Sequence, residues 1–175
     1  MTSVLILPGL GGSGPAHWQS RWEELEREYR RVSMPDWDRP ELTTWVSTLA
    51  AAVDAAPAGA VIVAHSLGCL AVAHWAAQGG KARGALLVAV PDPDGPEFPD
   101  VARSFGPVPL TPLGFPTHVV ASRDDPYGSF EFARRCATAW QSQLTDIGCA
   151  GHINADSGLG AWAEGQQLLS GLTAA

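Results

Sequence analysis

The ten residues Val61-Ile62-Val63-Ala64-His65-Ser66-Leu67-Gly68-Cys69-Leu70 constrain the chain more than any other stretch. An apolar, β-branched run ends at His65-Ser66, and from Leu67 to Ala77 apolar side chains recur at helical spacing, so Ser66 stands at a strand-to-helix turn. A turn of this kind, in the pattern G-x-S-x-G, lifts a serine hydroxyl to the carboxyl end of a sheet, and small residues flank it because the backbone is tight there. Here the first position is Ala64, giving A-x-S-x-G. Serine is also a favoured helix N-cap. The pentapeptide alone therefore leaves nucleophile and cap both open, and the choice depends on partners elsewhere in the chain.

The flanking sequence alternates apolar runs with helical periodicity. Val4–Leu7 reads as a strand buried on both faces, followed by the loop Pro8-Gly9-Leu10-Gly11-Gly12-Ser13-Gly14. Trp18, Trp22, Leu25 and Tyr29 then recur at i, i+4, i+7 and i+11, which predicts a helix from Pro15 to about Arg30, with a brief strand over Arg31–Met34. A second helix is expected from Leu42 to Ala56, and further strands over Gly84–Val90, Thr117–Ala121 and Leu144–Ile147. Helices are expected over Ser129–Trp140 and Leu159–Leu172. Residues Pro91 to Pro116 hold eight of the 14 prolines and no clear period, so they read as a long ordered loop across the carboxyl edge of the sheet. Such alternation is the signature of a mostly parallel sheet of about six strands with helices on both faces, whose ligands bind at the strand carboxyl ends.

At 175 residues, with 46% hydrophobic and 17% charged residues, the chain suits a single globular domain spanning 1–175. The N-terminal segment lacks a basic region and breaks at Pro8-Gly9, so it is expected to be a buried strand rather than a signal peptide, and the protein is expected to be cytoplasmic. A net charge of −7 with no basic run argues against nucleic acid and anionic membranes as partners. Cys69, Cys136 and Cys149 are odd in number and lack C-x-x-C spacing, so all three are expected to be small buried hydrophobes.

In a sheet of this kind the partners of an elbow serine lie in loops after later strands, in the chain order serine, acid, histidine. Asp124 and Asp125 follow the Thr117–Ala121 strand, and His152 follows the last strand. The chemistry needs all three, because a serine hydroxyl is a weak nucleophile, an imidazole accepts its proton, and a carboxylate fixes the imidazole tautomer. One of the two aspartates is expected to serve only the turn before Pro126; spacing does not choose between them. An oxyanion would be held by the N–H of Leu67 and an N–H from the glycine-rich loop, Leu10 first and Gly11 next. His65 is expected to pack under the elbow, and His74 and His118 to be structural. His17 and Trp18, together with Gly11, Phe98, Phe105 and Phe115, are candidate substrate-binding residues.

Gly9 to Gly14 satisfies G-x-G-x-x-G between a strand and a helix, with Asp36 standing 22 residues beyond Gly14 where a ribose-binding acid would fall. A dinucleotide reading, however, leaves the order Ser66, aspartate, His152 unexplained. No H-E-x-x-H occurs, and no metal or organic cofactor is expected.

With these residues placed, the chain resembles the small serine hydrolase family of the α/β-hydrolase superfamily, which includes retinoblastoma-binding protein 9 and many short bacterial hydrolases. The resemblance rests on Pro8-Gly9 and the following glycines, His17-Trp18, Pro35-Asp36-Trp37, the elbow Val63–Cys69, Ser122-Arg123-Asp124-Asp125-Pro126-Tyr127, and Gly151-His152-Ile153-Asn154. It implies Ser66 as nucleophile, His152 as base and Asp125 as the acid. It also implies a compact α/β-hydrolase sheet lacking the first two strands and a large helical cap. The expected activity is hydrolysis of small carboxylic esters through an acyl-enzyme, with thioester or amide cleavage on the same residues as the alternative. A binding protein with a vestigial site is the reading from a different class, since the human relative is named for a protein partner.

Overall fold

In the computed structural model, which describes residues 3–56 and 59–174, six strands form one parallel sheet in the order β2-β1-β3-β4-β5-β6. The strands are β1 (Ser3–Leu7), β2 (Tyr29–Arg31), β3 (Ala60–His65), β4 (Gly84–Val88), β5 (Thr117–Ala121) and β6 (Gln143–Asp146). Helices α1 (Trp18–Leu25), α2 (Leu42–Asp54), α3 (Leu67–Ala77) and α4 (Phe130–Trp140) lie between successive strands, and α5 (Ala163–Thr173) follows β6. This is a compact α/β-hydrolase fold. No helix among the described residues is long and apolar enough to cross a membrane.

Strand β3 shows why the sheet is sandwiched. All six of its residues are buried, with Val61 and Val63 packing into the layer of α1 and α5, and Ile62 and Ala64 into the layer of α2, α3 and α4. Successive side chains of a strand point to opposite faces, so an unbroken apolar run needs cover on both. Each such side chain contributes about 1.5–3 kcal/mol when removed from water. Helix α3 lies directly over this strand and is buried nearly all round, which is why its sequence carries so little polar residue.

Several boundaries differ from the periodicity reading. Helix α1 ends at Leu25, and Tyr29 belongs to β2, where it pairs with Val4. Its ring meets Trp22 edge-on at 6.5 Å, so the apolar recurrence at Tyr29 is a contact across two elements rather than one helix face. The strand expected over Arg31–Met34 accordingly starts earlier, and Val32 and Met34 are buried just beyond it. Helix α5 begins at Ala163, four residues later than expected, because Trp162 takes a left-handed backbone (φ 42°). The proline-rich crossing contains a helical turn over Asp100–Phe105. Cys69 and Cys136 are buried, and burial pushes the Cys136 thiol up to about 12, whereas Cys149 is exposed on the loop after β6 and is not the core residue expected.

Candidate active site

Ser66 joins β3 to α3 with φ 53° and ψ −123°, a conformation sparsely populated by any residue with a Cβ. Its hydroxyl caps no backbone N–H of the helix it precedes. Instead Ser66 Oγ lies 2.7 Å from His152 Nε2. His152 Nδ1 lies 2.9 Å from both carboxylate oxygens of Asp125, so Nδ1–H donates to the carboxylate and leaves Nε2 free to accept from the serine. The Asp125 side chain is 2% exposed and takes a further hydrogen bond from the Tyr127 N–H (2.9 Å).

The turn is tight enough to need glycine on both sides. A Cβ on Gly68 would fall 2.7 Å from the Leu7 carbonyl oxygen, and one on Gly9 would fall 2.9 Å from Ser66 Cβ. These two residues let the loop after β1 lie against the elbow. Leu10 and Leu67 each open a helical turn, and their N–H groups have no acceptor among the described residues.

The adjacent aspartates do different things. Asp124 Oδ1 accepts from the Ser122 hydroxyl (2.7 Å) and from the Gly151 N–H (2.8 Å), and these bonds, the hydroxyl first, hold its carboxyl below the usual range. Ser122 in turn accepts from the Ala150 N–H at 2.9 Å. Asp125 thus meets the imidazole ring while Asp124 and Ser122 hold the backbone just before it. On the other side of the ring, His65 Nε2–H donates to the His152 carbonyl (2.9 Å) and Trp18 Nε1–H donates to the Ile153 carbonyl (2.8 Å). Ile153 needs that support, because its φ of 48° is unusual for a β-branched residue.

A row of three imidazoles runs inward from His152: His152 to His65 at 4.9 Å and His65 to His17 at 4.6 Å between ring centroids. His17 Nδ1 accepts from the Gln19 N–H (3.1 Å), so the hydrogen of the neutral ring sits on Nε2, which has no partner among the described residues. Burial, then Arg31 and His152, lower the His17 pKa to about 4, and burial likewise holds His65 well below the ordinary histidine value. His74 and His118 bond elsewhere, to the Phe105 carbonyl and the Thr145 hydroxyl.

A cleft of about 330 Å³ opens over Ser66 and His152. Gly11, His17 and Phe98 line it, as do Leu10, Tyr127 and Asn154. Three expected pocket residues do not. Trp18 is 1% exposed and packs among Trp22, Trp162 and His65, because its indole serves the His152 loop rather than the cleft. Phe105 is fully buried edge-on to Trp45, and Phe115 packs against Trp75 on the α3 side of the molecule. Periodicity in a loop reports burial without reporting which core receives the ring. The glycine-rich loop faces Ser66, and the Asp36 carboxylate is engaged in its own turn, accepting from the N–H groups of Asp38 and Arg39.

Sequence reasoning missed Ser122 and Asp124 as a brace, and also Gln19. Gln19 is completely buried and donates to the carbonyls of Leu7 and Val63, tying together the ends of β1 and β3 that carry the glycine loop and the elbow. A glutamine directly after His17-Trp18 inside an apolar helix face was the available signal, since buried amides need partners.

A family model described as "Serine hydrolase" matches residues 4–171. No curated protein matches the chain. Among solved structures, a protein described as a YdeN-like hydrolase from Pectobacterium atrosepticum is 33% identical, with a TM-score of 0.89 over 98% of this chain and 90% of that one. The ydeN gene product of B. subtilis is 22% identical, with a TM-score of 0.86 over the whole of both chains. The RedJ thioesterase of the prodiginine pathway in Streptomyces coelicolor is 16% identical, with a TM-score of 0.66 over 94% of this chain and 89% of that one. The last two likenesses concern the fold alone.

Proposed function

We propose that the chain, which belongs to the serine hydrolase family, cleaves small carboxylic esters through an acyl-enzyme formed on Ser66. The observation that carries this reading is the hydrogen-bonded row from Ser66 Oγ through His152 to Asp125, with distances of 2.7 and 2.9 Å, at the base of a cleft. Ser66 Oγ attacks the ester carbonyl carbon as its proton passes to His152 Nε2. The N–H groups of Leu67 and Leu10 bind the resulting oxyanion. Collapse breaks the carbon–oxygen bond of the leaving group, which takes the proton from His152. Water then attacks the acyl-enzyme, gives its proton to His152, and the proton returns to Ser66 as the acid departs. Asp125 keeps Nδ1 protonated and stabilises the imidazolium formed in each half-reaction.

The binding-protein reading gains nothing from this geometry, since partner binding does not require a serine in strained backbone with an aligned base. The Leu67 and Leu10 N–H groups are the proposed oxyanion donors, and a donor of this kind is worth about 10²–10³ in kcat.

Labelling with a fluorophosphonate probe tests the reading directly. The parent should be modified at Ser66 and should hydrolyse p-nitrophenyl esters, and Ser66→Ala should lose both. Parental turnover in Ser66→Ala, or an unlabelled parent, refutes the assignment. Acyl thioesters assayed beside the matching esters decide between the two acyl classes.

A further inference from the structure

Among the described residues, no aspartate, glutamate, lysine or arginine lines the cleft over Ser66. The carboxylate beneath it, Asp125, is sealed and fully engaged with His152 and the Tyr127 N–H. Arg31, whose charge acts on His17, is taken up by Glu23, by the carbonyls of Gly12 and Ser13, and by the Ser20 hydroxyl. Of the charged residues that adjoin cleft-lining positions in sequence, Glu97, Asp100 and Asp156 are acidic and exposed, Asp92 is acidic and half-buried, and Arg103 is paired with Asp100. His17 and His65 stay uncharged at neutral pH for the reasons given above.

The wall chemistry is consistent with this. Leu10, Phe98, Pro99 and Ala102 are apolar, and the polar groups, Ser13, His17 and Asn154, are neutral. Leu10 is 39% exposed, and Val101, on the helical turn that also carries Ala102, is 53% exposed, so the apolar surface continues outward. An ionised group entering this cleft would leave water without meeting a counter-charge, which is strongly unfavourable.

We propose that the group held in the cleft carries no formal charge: the substrates are esters of uncharged, apolar carboxylic acids, and acids bearing a second carboxylate are rejected. The selection rests on the acyl-hydrolase reading above and names the substrate class of that same site. It operates through the absence of a counter-ion, so the ester of a neutral acid is admitted while a half-ester of a dicarboxylic acid of equal length is not.

The test compares p-nitrophenyl butyrate with p-nitrophenyl hemisuccinate, which share a leaving group and differ at the acyl terminus. The expected kcat/KM for the hemisuccinate is about a hundredfold lower. A ratio below about tenfold, in a protein whose Ser66 takes the fluorophosphonate probe, overturns the charge selection and leaves the hydrolase reading intact. Absence of both labelling and turnover overturns the hydrolase reading, and the selection with it. A second variant isolates the cause. Ala155 lines the cleft and is exposed, so Ala155→Lys adds a cation without disturbing the core. The ratio of the kcat/KM values for hemisuccinate and butyrate should rise about tenfold, whatever the rate on butyrate alone. An unchanged ratio in a folded, labelled Ala155→Lys protein shows that a missing counter-charge is not what selects, and refutes the proposal.

Discussion

Trp18 donates its indole N–H to the carbonyl of Ile153 across 2.8 Å and 135 positions of sequence, so the first helix holds the residue that follows the candidate base. The bond is buried, and the carbonyl it serves belongs to a residue in left-handed backbone. An unsatisfied buried carbonyl costs about 1–3 kcal/mol.

Trp18→Phe keeps most of the ring and removes the donor. Stability in urea should fall by about 1–3 kcal/mol, and kcat should fall about tenfold or more with KM nearly unchanged, because the substrate walls are intact while the base is misplaced. Trp22 supplies the comparison, since its indole donates to the Ala161 carbonyl at 2.6 Å, away from His152. Trp22→Phe should lose similar stability and leave kcat alone. Equal kinetic loss in both variants would reduce Trp18 to a packing residue.

The adjacent aspartates should separate cleanly. Asp125→Asn is expected to lower kcat by about 10³–10⁴, because the amide no longer enforces the reactive imidazole tautomer. Asp124→Asn retains a side-chain oxygen for the Gly151 N–H and the Ser122 hydroxyl and should stay within about tenfold of the parent. Steady-state kinetics on a p-nitrophenyl ester decides the assignment, and a reversed order of losses would give the acid role to Asp124.

His17 predicts an acid-side loss of stability. Its folded pKa, about 4, lies below the unfolded value of 6.5, so above that value neither state takes the proton and the full stability is present. As pH falls from 6.5 toward 4 the unfolded chain is protonated first, and stability is lost by an amount on the order of 3 kcal/mol. His65 pulls in the same direction. Urea titrations between these limits should show a shallower pH dependence in His17→Gln than in the parent, and parallel curves would contradict the burial argument.

Gly9→Ala tests the close approach of loop and elbow. The new Cβ would meet Ser66 Cβ at 2.9 Å and the Leu67 nitrogen at 3.2 Å, so the loop carrying the Leu10 N–H must move away. Turnover should drop about 10²-fold, the scale of one lost oxyanion donor, with a stability cost of about 1–3 kcal/mol. Parental activity would place the second donor elsewhere.

Much of this architecture could be read from residue order. Strand β5 was legible to the residue, because Thr117–Ala121 is apolar, β-branched and bounded by proline and a polar turn. The order of Ser66, the aspartates and His152 was legible because each follows its own strand. The destinations of aromatic rings were not. Trp18 and Phe105 look equally suited to a pocket in sequence, and only the packing of α1 and of the 100–105 turn sends them to separate cores. The division of labour between Asp124 and Asp125 was hidden for a related reason: it depends on which carboxylate the turn at Pro126 rotates toward a loop about 26 residues downstream, and local rules carry no such information.

On the proposed mechanism, Ser66 and its base lie far apart in the chain. The imidazole that Ser66 meets is 86 residues further on, in the loop that follows β6 and that Trp18 ties to the first helix. Contacts of such long range form late, since their loops must close before they reward closure. On the proposed mechanism, a nascent chain that stops short of His152 is expected to carry an inert serine, with hydrolysis arising only once the loop after β6 is in place.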